Sequence, residues 1–164
     1  MDISFTAPAS IRTGSWVVGA VEGTSSGALL PAAQAADKAS GGALGRALKF
    51  ARFKGKPGQM VEVLAPAGLS ASRILLVGLG KPDALGEKDL ETLGAQAVGR
   101  LLGAGETRAT FVIDVPKGCK VRKAELAAHL AFGAKLRSYA FNRYRTRNLE
   151  DYARRLAALT VMTP

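Results

Sequence analysis

The residue types that could do chemistry are few in this chain and widely scattered. His129 and Cys119 are the only histidine and the only cysteine among 164 residues. A metal site needs several His, Cys, Asp or Glu donors at short spacing, and the sequence offers no such cluster. His129 stands one turn beyond Leu126 in a helical pattern and reads as a structural residue. Cys119 lies between Gly118 and Lys120; a basic neighbour lowers a thiol pKa, but no partnering base is in view. It reads as a plain surface-loop thiol.

Two glycine-rich stretches could bind an anion through backbone N–H groups. Gly78-Leu79-Gly80-Lys81 follows an apolar run, where glycines after a strand let the backbone approach a phosphate. A P-loop, however, would have Gly where Leu75 stands and Ser or Thr where Pro82 stands, and a dinucleotide fingerprint would have Gly in place of Asp83. Ser40-Gly41-Gly42 precedes a helical pattern and forms a second candidate nest. Ser40, Gly41, Gly42, Gly78 and Gly80 are thus the candidate anion or nucleotide contacts. A strand-end turn and a helix-to-helix turn are the competing explanations.

A third stretch mixes cations with rings: Lys135, Arg137, Arg143, Arg145 and Arg147 alternate with Tyr139, Phe141 and Tyr144. Cations with stacking rings suit single-stranded nucleic acid. The same arrangement suits a segment that anchors to its core through the rings and meets a neighbouring domain through the arginines. Arg137, Tyr139, Arg143, Tyr144, Arg145 and Arg147 are the contact candidates under either reading.

The elements that must position these groups alternate strand and helix. Ile74-Leu75-Leu76-Val77, stopped by Gly78, predicts a central strand buried on both faces. Leu90, Leu93, Ala97, Leu101 and Leu102 share one helical face that stops at Gly103, and 109–116 is another apolar strand. Together they make a βαβ unit, for which a right-handed crossover is the rule. Upstream, strands are expected over 2–6 and 16–21, with a turn at Thr13-Gly14. Helices are expected over 31–39 and 43–51, with Arg46, Lys49 and Arg52 facing solvent, then a turn at 54–58 and a strand over 60–64. Downstream, a helix over 123–138 buries Leu126, Leu130, Gly133 and Leu136 or Arg137, with Gly133 allowing close approach to the sheet. A final strand spans 156–162.

Length and a 48% apolar composition allow one domain with a real core. The formal charge of +10 favours acidic partners, either nucleic acid or an acidic protein face. A single cysteine fits a reducing compartment, so a cytoplasmic location is expected. The first residues show no export signal, and no stretch approaches the roughly twenty apolar residues that span a bilayer.

Three patches also resemble a known family. They are Arg73-Ile74-Leu75-Leu76-Val77-Gly78-Leu79-Gly80-Lys81; Ala39-Ser40-Gly41-Gly42-Ala43-Leu44 with Phe53-Lys54-Gly55-Lys56-Pro57-Gly58; and the run from Gly133 to Thr146. In this order they are similar to the N-terminal domain of leucyl (cytosol) aminopeptidases, peptidase family M17. The resemblance implies a macro-domain-like three-layer α/β/α sandwich with a mixed, mostly parallel sheet. It implies one non-catalytic domain over 1–164, with an exit segment at 139–164 leading to a C-terminal catalytic domain that this sequence lacks. That domain would carry two divalent metals (zinc, manganese or magnesium) in a homohexamer, so no catalytic or metal residue is expected here and the chain itself is expected to be inactive. The macro-like fold adds ADP-ribose or a nucleotide as an alternative ligand for Ser40-Gly41-Gly42.

Overall fold

The computed structural model describes residues 1–9, 14–23, 28–139 and 156–162. The described strands form one seven-stranded sheet: β1 (Asp2–Thr6), β2 (Ser15–Val21), β3 (Ala28–Leu29), β4 (Met60–Leu64), β5 (Arg73–Gly78), β6 (Arg108–Val112) and β7 (Ala158–Met162). Their order is β1-β7-β6-β2-β5-β4, with β3 antiparallel to the end of β2. β1, β7, β6, β2 and β5 run parallel, and along that path only β4 is antiparallel to its neighbour, β5. Helices α1 (Pro31–Ala39) and α2 (Ala43–Phe50) cover one face, α3 (Glu87–Gly103) and α4 (Lys123–Ser138) the other.

Side chains alternate along a strand, so a strand between two helical layers must be apolar at every position. β5 meets that condition. Leu75 and Val77 pack into the core beneath α3 and α4, while Ile74 and Leu76 pack beneath α1 and α2. The apolar run of β5 predicts a central strand, but the centre of the sheet belongs to β2, which pairs with β5, β6 and β3. Coverage on both faces makes a strand apolar, and it does so one place from the edge as well as at the centre.

Strand order overrides sequence order elsewhere. β1 and β2 follow one another in the chain but do not pair, because β7 and β6 lie between them. The expected exit segment contains a sheet strand: β7, Ala158–Met162, is inserted between β1 and β6, with Leu159 and Val161 buried.

Three of the helices have an identifiable start. Pro31 opens α1 in the first turn, where a missing N–H costs nothing. The Asp89 carboxylate accepts the Gly86 N–H at 2.9 Å at the start of α3. At α4 the Glu125 carboxylate accepts the Arg122 N–H at 3.0 Å. The side-chain hydrogen bond from Arg122 also holds the Glu125 carboxyl below the usual carboxylate range. This contribution is present above the ordinary carboxylate pKa and is lost as pH falls through the lowered one.

α3 ends at Gly103 as the pattern predicts, with a left-handed glycine two residues further on at Gly105, φ 74°. Two details of α4 depart from the sequence reading. Leu136 and Arg137 are exposed and Ala134 is buried instead: the buried stripe runs through Leu126, Ala127, Leu130, Ala131 and Ala134, which leaves Leu136 on the opposite side, and Arg137 stands in the last turn, at the end of the packed length. Gly133 approaches α3 rather than the sheet: a Cβ there would sit 1.8 Å from the Glu91 carbonyl oxygen. Gly94 of α3 faces Leu130 in the same way, so the two glycines let the helix backbones touch.

Candidate functional site

The glycine turn after β5 forms where three loops meet. The Gly78 N–H donates to the Gln59 carbonyl at 2.8 Å, the Leu79 N–H to Ala20 at 2.9 Å, and the Gly80 N–H to Gly55 at 2.9 Å. All three amides that an anion would use are therefore already donated to the chain's own carbonyls. The glycines are needed for contact: a Cβ on Gly78 would lie 2.2 Å from the Lys56 carbonyl oxygen, and one on Gly80 2.6 Å from Pro57 Cγ. Nothing in the residues themselves signals that the turn at 54–58 packs here.

The turn at Ser40-Gly41-Gly42 is likewise internally bonded. Gly41 and Gly42 take φ of 64° and 78°, a left-handed pair that only glycine adopts at little cost. The Ser40, Gly41 and Gly42 N–H groups donate to the carbonyls of Ala36, Lys38 and Asp37. The helix ends nearby hold carboxylates of the chain itself. Asp37 Oδ1 accepts the Gly45 N–H at 2.9 Å in the first turn of α2, and Asp114 Oδ2 accepts the Ala32 N–H at 2.8 Å in the first turn of α1. Positive helix ends attract anions, and here two aspartates fill that role. Asp114→Ala should cost about 1 kcal/mol of stability, the usual worth of a cap, measured as a lower urea midpoint.

His129 has partners that its position in the chain did not announce. Its Nδ1 lies 2.9 Å from Glu91 Oε1 and its Nε2 3.7 Å from Glu87 Oε2, both on α3. Glu87 and Glu91 are one turn apart on that helix, so the pair braces α3 against α4. Among the described residues, no group of three or more His, Cys, Asp or Glu side chains is placed to hold a metal ion. Cys119 is half-buried against the core rather than free on the surface.

Of the basic and aromatic segment, Lys135, Arg137 and Tyr139 are described; Phe141, Arg143, Tyr144, Arg145 and Arg147 lie outside the described residues. Tyr139 is 75% exposed, so this ring is not docked on the domain as the anchoring reading required. Arg137 is exposed in the last turn of α4, and its guanidinium lies alongside Gly99 of α3. Sequence reasoning missed two surface features. Phe50, at the end of α2, is 90% exposed among Lys49, Arg52 and Lys54. A chain of ion pairs links Arg100, Glu62, Arg73 and Glu106, with the Arg73 side chain only 13% exposed.

A mixed sheet between two helical layers, with the amides of its glycine turns donated to the chain's own carbonyls, defines a three-layer α/β/α domain. Residues 17–148 match the family model described as the cytosol aminopeptidase family, N-terminal domain, and the chain belongs to that family. It is 43% identical over 119 residues to a probable cytosol aminopeptidase of Rhodopseudomonas palustris, covering 71% of this chain and 23% of that protein. A probable cytosol aminopeptidase of Caulobacter vibrioides is 36% identical over 139 residues, covering 85% of this chain and 27% of the relative. The chain thus spans about a quarter of the length of the curated relatives it matches.

Solved structures agree on the fold. A tomato leucine aminopeptidase mutant superposes with a TM-score of 0.73 at 20% identity, over 99% of this chain and 32% of that one. The macrodomain of Mycobacterium tuberculosis DarG gives a TM-score of 0.66 at 8% identity, over 99% of both chains. At such identities the likeness is one of architecture.

Proposed function

We propose that this chain is a non-catalytic N-terminal domain of a metal-dependent cytosol aminopeptidase and that its work is packing between domains and subunits. The observation that carries this reading is the family match over 17–148, in a chain that spans about a quarter of the length of the relatives it matches. Release of N-terminal residues from peptides, the two divalent metals, the hexameric assembly and the C-terminal domain all belong to the intact parent on this reading. A cytoplasmic setting goes with it: relatives carry cytosol in their names, and among the described residues no helix is long and apolar enough to cross a membrane. The saturated glycine turns also support it, since a module without ligands can spend its backbone amides on its own loops.

The test is a chimera. This chain replaces the matching quarter of the Rhodopseudomonas palustris relative, and assembly and leucyl-p-nitroanilide hydrolysis are measured beside the isolated chain with added manganese. The chimera should assemble and turn over like its parent, while the isolated chain stays at background. Turnover by the isolated chain would mean that the chemistry lies here. A chimera that folds but stays monomeric would remove the packing role.

The +10 charge favours nucleic acid binding as a second reading. A gel-shift titration at two salt concentrations decides it, because phosphate contacts weaken steeply as salt rises. No shift at low salt would end that reading.

A further inference from the structure

We propose that the open edge of β4 is a docking site for an extended acidic peptide segment of a partner, which joins the sheet there as a further strand. Among the described residues nothing pairs with β4 on the side away from β5. The Gly78 N–H donates to Gln59 and the Ala65 N–H to Ser72, and pairing alternates between these ends. Val61 and Val63 therefore bond to β5, and Met60, Glu62 and Leu64 direct their N–H and C=O groups outward. No hydrogen bond to those outward groups is found among the described residues. Unpaired edges invite another strand, and natural proteins usually cover or block them.

The edge is a slot rather than a bare rim. An open groove of about 810 Å³ is lined by Ala47, Phe50 and Ala51 of α2 and the turn after it, by Gly58 and β4, and by Arg100 of α3. Helices on opposite faces of the sheet thus wall the space that a further strand would fill. Leu64, 62% exposed, and Phe50, 90% exposed, offer apolar contact to alternate side chains of the incoming strand.

Charge selects the occupant. Lys49, Arg52, Lys54 and Lys56 are exposed, and in the chain Lys49 and Arg52 flank the groove residues Phe50 and Ala51 while Lys54 and Lys56 lead to Gly58. The groove's one acid, Glu62, is neutralised between Arg73 and Arg100. A second copy of this chain, at +10, would bring like charge to like. An oligonucleotide would use the cations but leave the row of backbone donors and acceptors unmatched. An acidic strand matches both. This inference stands apart from the packing reading, since it needs only the edge, the groove and the cations.

The experiment follows amide hydrogen exchange of the full chain at low salt. The probes are a hexapeptide alternating valine and glutamate, the same peptide N-methylated at alternate residues, and oligothymidylate. The first peptide should slow exchange at Met60, Glu62 and Leu64 roughly tenfold or more, and the N-methylated peptide should not. Combined Lys49→Glu and Arg52→Glu changes, both on exposed side chains, should weaken binding about tenfold with an unchanged circular dichroism spectrum. Unchanged exchange at the three amides with saturating peptide would overturn the proposal. So would protection that rises with chain concentration alone, the mark of self-pairing, or equal protection by oligothymidylate.

Discussion

Gly133→Ala should destabilise the domain by about 3 kcal/mol, against the ordinary trend for helices. In an exposed helix the same change gains up to about 1 kcal/mol, because alanine loses less backbone freedom on folding. Here the added Cβ would meet the Glu91 carbonyl oxygen at 1.8 Å and its carbon at 2.6 Å, both backbone atoms that no rotamer change can move. α3 and α4 would have to part. Parting them pulls Glu91 from His129 and opens the layer over Leu75, Phe111 and Leu159, which are fully buried beneath it. A loss of that size lowers Tm by on the order of 10 °C in a domain of this length.

Gly103 supplies the internal control. It lies at the end of α3, and a Cβ added there would meet nothing within 4 Å, so Gly103→Ala should be neutral or stabilising by up to about 1 kcal/mol. Urea unfolding of the two variants should therefore show midpoints moving in opposite directions. Equal shifts would mean that the helices do not touch at Gly133.

The second large effect is expected at Gly78, and it separates a packing turn from a ligand turn. Gly78→Ala places a Cβ 2.2 Å from the Lys56 carbonyl oxygen and 2.8 Å from the Gly55 carbon. The loop at 54–58 must then withdraw, and the hydrogen bonds from Gly78 to Gln59 and from Gly80 to Gly55 weaken with it. We expect a loss of about 2 to 3 kcal/mol in urea unfolding. Calorimetry with ADP-ribose should show no binding to the natural chain or to the variant. Binding by the natural chain that vanishes in a variant of unchanged stability would instead make this turn a ligand site.

Much of the local architecture was legible in the residues. The bounds of α1 and α4 and of β4 follow from patterns that need no distant partner: a proline in a first turn, apolar residues at helical spacing, and alternation beside a glycine turn. Three short patches around Ser40-Gly41-Gly42, Arg73 to Lys81 and Gly133 to Thr146 also sufficed to recognise the family. The candidate contacts fared differently. A glycine pair after a strand looks the same in sequence whether its amides face a phosphate or a neighbouring carbonyl; in the fold the Gly78 and Gly80 N–H groups donate to the carbonyls of Gln59 and Gly55, which come from another loop.

What the chain's own order determined, then, were the helices, most strands and the permissive backbone at Gly41 and Gly42, because these depend on residues within a turn or two of one another. Tertiary structure alone decided that β7 separates β1 from β6, that Asp114 caps α1, that Glu91 meets His129 and that Gly133 touches α3. It also left the outer side of β4 open among the described residues. Each of these depends on groups brought together across the sheet or between layers, where separation along the chain carries no information about distance in space.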